Sequence, residues 1–436
     1  MEIINKILWS IATVMLVISG FYYAIKFDFL HLKLFKMVNI LRKKDRNEEG
    51  ISAFESLSVS LGACIGVGSL SGIALAIYKG GVGTIFWVII SCLIIIPNSF
   101  VENSLAVLFH KKRGKLFIGG PANYIREGLG YKKLALIYAF VIILAYLFGF
   151  IPIQANTISK AITTFFNIKP LLIGLIIGIV CFIIIKNGIK SIAKFSAIFI
   201  PLMSLVYLIV SIFIIIKNIN LIPGIINNII SSAFNFKALG FGIFSSLIIG
   251  IERGIFASEV GAGTSAIAAA SSNQKNPFKQ GVIGMFGGYF TIFVVCLSTA
   301  FIILTSDYNP LNYGIVNGIE ITLNALVYHL GTFGNIVLYF CLIAFSFSTI
   351  ISGYYYVETN LKFIYDKVSE NHILVLQLFT MLVLILATII NPTFIWDTAD
   401  ILIAMLVIIN IFSIYKLRHI VLDKYKELGS KIYDRK

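Results

Sequence analysis

Long uninterrupted apolar stretches most constrain what this chain can fold into. A helix needs about 20 apolar residues to cross the roughly 30 Å hydrocarbon core of a bilayer. Eleven stretches of the 436-residue sequence reach or approach that length. They cover residues 7–27, 52–78, 83–108, 134–158, 170–186, 195–217, 239–259, 281–305, 332–357, 372–390 and 398–415. The sequence therefore predicts an all-α polytopic membrane protein with eleven transmembrane helices.

The shortage of charged residues excludes several classes of protein. Only 13% of the residues are charged, half the roughly 25% of a soluble domain, and 58% are hydrophobic. A soluble enzyme, a disordered chain and a disulfide-stapled secreted domain are therefore excluded. The five cysteines form no CxxC pair, the five histidines lack metal-ligand spacing, and no P-loop occurs. We expect neither a cofactor nor an enzymatic activity.

The basic residues between the apolar stretches predict the orientation of the chain. If the N-terminus lies outside, 28 of the 35 Lys and Arg residues fall on the cytoplasmic side. Because cytoplasmic loops carry an excess of Lys and Arg, we expect the N-terminus outside and the C-terminus inside, in a prokaryotic plasma membrane. The net charge of +15 then reflects loops that face an anionic lipid leaflet, and no nucleic-acid partner is expected.

Two of the stretches do not resemble plain apolar helices. The stretch SVSLGACIGVGSLSGIALAIY (58–78) contains four glycines, each of which costs a helix up to about 1 kcal/mol relative to alanine. The stretch FGIFSSLIIGIERGIFASEVGAGTSA (241–266) also contains several glycines and carries Glu252, Arg253 and Glu259. Charged residues at membrane depth are expensive and usually functional. We expect both helices to be interrupted.

The two glycine-rich stretches occupy matching positions in the chain. Without the first helix, which is interpreted as an uncleaved helix, ten remain, and each group of five begins with a glycine-rich stretch. Five helices is an odd number, so the second group is inverted relative to the first. Paired broken helices in inverted halves indicate the binding site of a secondary transporter, whereas glycines that only allow close helix packing are the alternative.

This organisation divides the chain into five segments. Residues 27–44 alternate apolar and basic side chains, which fits an interfacial amphipathic helix or a plain linker equally well. The predicted segments are an N-terminal transmembrane helix with its basic cytoplasmic segment (1–51), a first five-helix repeat (52–217), an extracellular connector (218–238), a second, inverted five-helix repeat (239–415) and a basic cytoplasmic tail (416–436).

Several ordered motifs make the chain recognisable. They are GGVGTIFW (80–87), ENSLAVLFHKK (102–112), GGPANYIREGLG (119–130), QANTIS (154–159), RGIFASEVGAGTSAIAAASS (253–272), FSFSTI (345–350) and TADILIAMLVIIN (398–410). In these motifs the sequence resembles the alanine or glycine:cation symporter family, the sodium:alanine symporters. The resemblance implies the five-plus-five inverted-repeat fold of amino-acid and sodium:neurotransmitter transporters, with one additional N-terminal helix.

The resemblance also implies a function. It indicates sodium-coupled symport of a small neutral amino acid into the cell by alternating access, with sodium as the coupling ion. Proton-coupled or exchange transport by the same fold is the alternative, and the oligomeric state stays open. A channel would need a continuous polar pore lining, which the apolar stretches lack.

The chain departs from the family pattern at positions that bear on the substrate. Where the family usually has GTVGTGN, residues 63–69 are ACIGVGS, and the usual Asp of a later helix is Thr291. The family's Gly-Trp pair after FSTI is Ser352-Gly353 here. A missing tryptophan suggests a roomier pocket, so we expect a substrate that can be larger than glycine or alanine.

A predicted substrate site follows from the chemistry of an amino acid. Its carboxylate needs hydrogen-bond donors, which an unwound stretch at 66–69 offers as free backbone N–H groups at a half-helix N-terminus. Its ammonium needs acceptors, and Asn156 is the nearest side-chain candidate. A hydrogen bond between helices is the alternative for both Gln154 and Asn156. The expected substrate-binding residues at and near this stretch are Gly66, Val67, Gly68, Ser69, Ser71 and Asn156. The resemblance implies that Phe244, Ile248, Thr349 and Gly353 line the pocket for the substrate side chain.

The resemblance also implies a sodium site, and charged residues near a span end suggest a gate. Sodium prefers oxygen ligands, and the expected ones are backbone carbonyls of Gly62 and Ile65 with the hydroxyls of Ser348 and Thr349. Hydroxyls that bond back to the preceding helical turn are the alternative. Arg253 and Glu259 fall near the cytoplasmic end of the predicted span 239–259. There Arg253 is expected to pair with a carboxylate, either as an inner gate or as a static ion pair.

Overall fold

Helices make up nearly all of the structure, a computed structural model that describes residues 2–33, 50–114, 116–234, 243–309, 318–365 and 367–429. The α-helices are α1 (Glu2–Lys26), α2 (Ala53–Cys64), α3 (Ile73–Gly80), α4 (Thr84–Leu108), α5 (Pro121–Leu129), α6 (Lys132–Ala145), α7 (Ile151–Phe165), α8 (Pro170–Ile185), α9 (Gly188–Lys217), α10 (Ile222–Ala233), α11 (Ile243–Ser258), α12 (Thr264–Ala270), α13 (Pro277–Tyr289), α14 (Leu297–Leu304), α15 (Gly318–Leu330), α16 (Thr332–Ile364), α17 (Glu370–Ala387), α18 (Pro392–Lys416) and α19 (Arg418–Leu428).

Shorter elements connect these helices. A β-hairpin of β1 (Lys111–Arg113) and β2 (Leu116–Ile118) follows α4, with Lys111 opposite Ile118. Turns of 3₁₀-helix cover Leu30–Leu32 and Ile219–Leu221. Three π-helical segments cover Gly68–Gly72, Tyr146–Phe150 and Phe290–Cys296. Such segments often mark functional sites within helices.

The described residues contain eight helices that are long and apolar enough to cross a membrane, or nine when a bent pair is taken as one span. The pair joins Ala53–Cys64 to Gly68–Gly80 at an angle of 52°. Two further predicted spans, 170–186 and 239–259, correspond to the 16-residue helices α8 and α11. The protein is therefore an all-helical membrane protein, and eleven spans stay a prediction. The predicted amphipathic segment 27–44 lies mostly outside the described residues.

The first broken helix begins with a well-defined cap and ends at its glycines. Ser52 Oγ accepts a hydrogen bond from Glu55 N (3.2 Å), and Glu55 Oε2 accepts one from Ser52 N (2.7 Å), so a capping box starts α2. The α-helical backbone stops at Cys64 and resumes as π-helix at Gly68. The structure thus interrupts this helix in the stretch where the sequence places Gly66 and Gly68.

The second interruption lies between α11 and α12. Glu259, Gly261 and Gly263 have positive φ angles of 53°, 84° and 79°. Glycine adopts this conformation without strain, and both glycines are also tightly enclosed. A Cβ at Gly261 would lie 2.3 Å from Leu16 Cδ2, and one at Gly263 would lie 2.4 Å from Pro121 Cγ. A side chain at Gly261 or Gly263 would therefore displace its neighbours.

The N-terminal helix α1 is an integral part of the bundle. Asn98 in α4 donates to Leu16 O (3.2 Å) and accepts from Ser19 Oγ (2.7 Å), while Tyr23 donates to Ile414 O in α18 (2.8 Å). At the same end of the bundle, Tyr425 of α19 packs among Phe27, Phe100 and Phe278, with ring centroids 4.8 to 5.9 Å away. These contacts join α1, α4, α13 and α19.

Candidate ion and substrate site

Five oxygen atoms converge where α2 ends against the middle of α16. Thr349 Oγ1 lies 3.0 Å from Gly62 O, 3.2 Å from Ala63 O and 3.2 Å from Phe345 O. Ser348 Oγ lies 3.2 Å from Gly62 O and 2.7 Å from Phe345 O. Both side chains are buried. Carbonyls at unwound helix ends together with hydroxyls form the kind of site that holds Na⁺ in transporters, so this donor set fits the ion.

The same contacts bear on the two interpretations of these hydroxyls. Bonds to Phe345 O are the back-bonding expected within one helix, whereas bonds to Gly62 and Ala63 join two helices. The structure contains both the bonds within α16 and the bonds between α16 and α2. Ile65, the second carbonyl expected from the sequence, lies at the end of α2, where its N–H donates to Leu61 O (2.7 Å). The carbonyls of Ala63 and Phe345 were not among the ligands expected from the sequence.

The unwound backbone beside this oxygen cluster faces Gln154. A Cβ at Gly66 would lie 2.4 Å from Thr349 Oγ1 and 3.1 Å from both amide atoms of Gln154. Val67 N donates to Gln154 Oε1 (3.1 Å). Thr349 therefore belongs to the oxygen cluster and also borders the break. The side-chain amide that contacts the break is that of Gln154.

Asn156 lies elsewhere. Its Nδ2 donates to Ala387 O (2.8 Å) and Ile390 O (2.9 Å) at the end of α17. Residues two apart on a helix point about 200° away from each other, so Gln154 and Asn156 cannot both face the break. In this structure Asn156 makes a helix–helix contact.

The π-helical segment Gly68–Gly72 is held by neighbouring helices. Thr299 in α14 donates to Ser69 O (2.9 Å), and Thr322 in α15 donates to Leu70 O (3.1 Å). A Cβ at Gly318 would lie 2.1 Å from Ser71 O, so α15 also approaches this segment closely. The backbone from Ser69 to Ser71 is thus held by α14 and α15.

Aromatic rings cover the break on one side. Phe256 stacks on Phe150 at 5.1 Å and on Trp396 at 5.4 Å, and a Cβ at Gly68 would lie 3.2 Å from its ring. Arg253 Cζ lies 5.2 Å from the centre of the Phe256 ring. Its Nη2 forms a 2.9 Å ion pair with Asp400 Oδ2. We call Arg253, Phe256, Trp396 and Asp400 the aromatic lid.

The pairing of Arg253 with a carboxylate is confirmed, and the partner is Asp400. Arg253 lies in α11, before the break, and Asp400 is nearer the start of α18 than the Lys416 end. After the break, the helical path continues through α12 to Ala270. Whether the pair is an inner gate or a static ion pair stays a prediction.

Two buried carboxyls flank the second break. Glu259 Oε2 accepts from Thr264 Oγ1 (2.6 Å) and Tyr146 OH (3.0 Å). Glu102 accepts from Asn410 Nδ2 (2.8 Å), Ser265 Oγ (3.2 Å) and Gly261 N (3.4 Å). Sequence reasoning missed Asn410 as a partner, although an Asn within an apolar stretch is itself a signal that a polar contact exists.

Three further predicted residues have different surroundings. Gly353 faces Tyr146, whose Cδ1 would lie 2.6 Å from a Cβ at position 353. Ile248 is 45% exposed on α11, and the side chain of Phe244 lies outside the described residues. The Tyr146 ring therefore fills space that a side chain at position 353 would need.

A bundle with two interrupted helices and an oxygen-lined break defines a secondary transporter. The fold is similar to that of MhsT in complex with L-phenylalanine, with a TM-score of 0.61, 13% identity and coverage of 83% of this chain and 89% of that one. The model of the sodium:alanine symporter family matches residues 1–435, and the chain belongs to that family. It is a transporter and not an enzyme.

Named relatives resemble the chain over almost its whole length. The probable sodium/glutamine symporter GlnT of Bacillus subtilis is 35% identical over 431 residues, which cover 98% of this chain and 89% of the relative. The amino-acid carrier protein AlsT of the same organism is 31% identical over 429 residues, which cover 98% of this chain and 91% of the relative.

Proposed function

We propose that this protein is a sodium-coupled symporter that brings a small neutral amino acid into a prokaryotic cell by alternating access. The proposal places the N-terminus outside and the C-terminus in the cytoplasm. The observation that carries it is the oxygen cluster of Gly62, Ala63, Phe345, Ser348 and Thr349 directly beside the interrupted helix at Gly66. The names of the relatives GlnT and AlsT, a probable sodium/glutamine symporter and an amino-acid carrier protein, support this proposal.

Sodium would join two helices in this scheme. The hydroxyl hydrogens of Ser348 and Thr349 now point toward carbonyls of α2 and α16. A cation among these oxygens replaces those hydrogens, so the hydroxyls turn their lone pairs toward it. Because Gly62 and Ala63 belong to α2 and the hydroxyls to α16, bound sodium fixes α2 against α16 and shapes the adjoining substrate site.

The substrate would lie between the first break and the aromatic lid. Backbone N–H groups from Gly66 to Gly68 would bind the carboxylate in place of their present acceptors, which are Cys64 O for Gly66 and Gln154 Oε1 for Val67. Gln154 orients this backbone through Val67, and Phe256 covers Gly68. On the far side, Tyr146 occupies the space in front of Gly353. We infer that Tyr146, rather than an empty volume at Gly353, limits how large the substrate side chain can be.

The ion gradient supplies enough free energy for accumulation. One charge moving through 100 mV is worth about 2.3 kcal/mol, and a tenfold concentration gradient adds about 1.4 kcal/mol. Together these support an accumulation of roughly a few hundredfold when one sodium ion accompanies each substrate.

The test is uptake of radiolabelled alanine into proteoliposomes with an imposed inward sodium gradient. Sodium-dependent accumulation supports symport, and unlabelled glycine, glutamine and phenylalanine as competitors measure the pocket. Uptake that is driven by an imposed proton gradient and does not depend on sodium would show that transport is proton-coupled instead. If protein that elutes as a single folded species shows no uptake with either a sodium or a proton gradient, the proposal is refuted.

A further inference from the structure

A cavity of about 460 Å³ lies at the end of the bundle where α4 stops and α13 starts. Leu108, the last residue of α4, and Pro277, the first residue of α13, both line it. Because α4, and α13 together with α14, are each long and apolar enough to cross a membrane, these helix ends mark the depth at which lipid headgroups begin. The volume falls within the range of about 300–1,000 Å³ that is typical of small-molecule sites.

The charged residues that line this cavity are both cationic. Lys275, in the loop after α12, and Lys424, from α19, line it, whereas no Asp or Glu is among the described residues that do so. Lys275 is exposed and forms no ion pair in the part of the chain that the structure describes. Lys424 is paired with Glu427, but both side chains are exposed, so the pair is weak and the ammonium has further hydrogens to donate. A cavity with this charge favours an anionic ligand.

Gln274 gives an independent indication of a ligand. It lines the cavity and is only 5% exposed. Its backbone N–H donates to Ser272 Oγ (3.2 Å), whereas its side-chain amide forms no hydrogen bond with any residue that the structure describes. Buried amides are normally hydrogen-bonded, because an unpaired one destabilises the folded protein. The amide hydrogens of Gln274 can donate to an oxyanion that also contacts the two lysines.

The walls of the cavity suit a phosphate group with an apolar attachment. His110 is held as a wall, because its Nδ1 donates to Ala270 O (3.0 Å) and its ring stacks on Phe117, with 4.4 Å between the centroids. Phe117 and Leu108 present apolar surface beside the lysines. The first turn of α13 contributes the positive end of a helix dipole. An oxyanion can therefore be bound here next to a hydrocarbon group.

The loop that carries Gln274 and Lys275 joins the two interrupted helices. Ile51, just before α2, donates its N–H to Ser271 O (3.1 Å), and Asn273 donates its N–H to Ile51 O (2.9 Å). Ser271 directly follows the last residue of α12. A ligand bound by this loop and by α19 therefore restrains the start of α2 and the end of α12 at one point.

We propose that this cavity is a binding site for a phosphate-bearing anion, held by Lys275, Lys424 and the side-chain amide of Gln274. Two sources share this chemistry: the headgroup of an anionic phospholipid in the adjoining leaflet, and a soluble phosphate. Basic pockets between transmembrane helices are known to bind such headgroups. The site is separate from the oxygen cluster and from the first break, so the inference goes beyond the proposed symport and does not depend on it.

The test measures the thermal unfolding midpoint of the purified protein in a neutral detergent. The protein is titrated with phosphatidylglycerol, with phosphatidylcholine, and with inorganic phosphate against chloride at equal ionic strength. We expect phosphatidylglycerol to raise the midpoint and phosphatidylcholine to leave it in place, and a rise with inorganic phosphate would identify a soluble anion as the ligand. Gln274→Met and Lys275→Gln should each raise the concentration for half of the shift about tenfold or more, since each removes a hydrogen bond to a charged group. Lys190→Gln, at an exposed lysine of α9 outside the cavity, is the matched control and should keep the wild-type response.

Gln274→Met distinguishes a binding role from a structural one. It keeps the size of the side chain and removes an unpaired buried amide, so its midpoint without ligand should equal or exceed that of the wild-type protein. A wild-type midpoint that responds to neither phosphatidylglycerol nor inorganic phosphate would overturn the inference. An equal loss of response in Lys190→Gln and Lys275→Gln would overturn it too, because it would show general attraction to a basic surface. If Gln274→Met does not fold, Lys275→Gln decides, and none of these measurements requires transport.

Discussion

At the scale of single residues, Thr349 has the most consequential position. Its hydroxyl contacts Gly62 O and Ala63 O and lies beside the backbone of Gly66 at the break. One atom therefore belongs to the oxygen cluster and borders the expected substrate. A change at this hydroxyl should alter ion binding first and substrate binding as a consequence.

Thr349→Val removes this hydroxyl while keeping the size of the side chain. Loss of one of five oxygen ligands should raise the sodium concentration needed for half-maximal uptake at least about tenfold, or about 1.4 kcal/mol. The sodium dependence of alanine uptake measures it. Thr380→Val is the control, since Thr380 donates only to Leu376 O within its own helix. Equal sodium dependence in the two variants would show that the cluster holds no sodium.

Gly353→Ala tests the contact with Tyr146. The new methyl group would lie 2.6 Å from the Tyr146 ring, so it forces the ring into the substrate space. We expect competition by glutamine to weaken about tenfold or more, and competition by alanine to change less. Gly72→Ala is the control, because no atom lies within 4 Å of a Cβ there. Identical competition profiles for Gly353→Ala and wild-type protein would exclude position 353 from the pocket.

At the scale of elements, the two interrupted helices do different things. The break after α2 presents carbonyls to α16 and an N–H group to Gln154, whereas the α11–α12 break is enclosed by Leu16, Pro121 and two carboxyls. Between them, the aromatic lid of α11 and α18 reaches over Gly68. We therefore propose that the ion binds at the first interrupted helix and that the closing movement belongs to the second.

The Arg253–Asp400 pair should hold the aromatic lid closed. Removing one partner of a nearly buried ion pair leaves an unpaired charge and costs about 3–5 kcal/mol. Arg253→Gln should therefore favour the state open on the lid side, and Arg253→Gln with Asp400→Asn should recover part of the closure. Labelling of a cysteine at Gly68 by a membrane-impermeant thiol reagent measures the opening.

A second ion pair, between Lys424 and Glu427, serves as the control for Arg253 and Asp400. Lys424 and Glu427 form an exposed ion pair of the same length, 2.9 Å, for which we expect at most about 1 kcal/mol. Glu427→Gln should leave the labelling unchanged. If Arg253→Gln also leaves it unchanged, the pair is a static anchor between α11 and α18.

At the scale of the whole molecule, α1 and α19 hold one end of the bundle together. α1 is hydrogen-bonded to α4 and α18, and Tyr425 of α19 packs against Phe27, which directly follows α1, and against aromatic rings from α4 and α13. These helices lie outside the two predicted repeats or at their edge. They stabilise the scaffold on which the breaks operate, and they do not contact the oxygen cluster through any of these bonds.

Tyr425→Ala should therefore separate stability from ion binding. Truncating a half-buried aromatic ring removes contacts with three neighbouring rings, so we expect a loss of about 1–3 kcal/mol and a lower thermal unfolding midpoint. The sodium dependence of uptake in the surviving protein should not change. Tyr365→Ala, at a 60% exposed tyrosine, is the control and should leave the unfolding midpoint in place.

The sequence predicted what depends on local pattern and missed what depends on distant contacts. Glycines at 66, 68, 261 and 263 indicated both interruptions, because backbone freedom is a local property. The helical phase that turns Gln154 rather than Asn156 toward the break depends on how α7 packs. The ring that fills the space before Gly353 comes from a residue far away in the chain, and no pattern near Gly353 reveals it.

The oxygen cluster has one further consequence, for the speed of the cycle. Its two hydroxyls carry their own hydrogens, which now satisfy the carbonyls of Gly62 and Phe345. When a cation departs, a rotation about two side-chain bonds restores these hydrogen bonds, and no bare carbonyl is left in a dry environment. If sodium binds here as proposed, these hydrogen bonds stabilise the cluster after the ion leaves, and we expect moderate ion affinity and fast ion exit. A carrier that must release its ion on every turnover needs both properties.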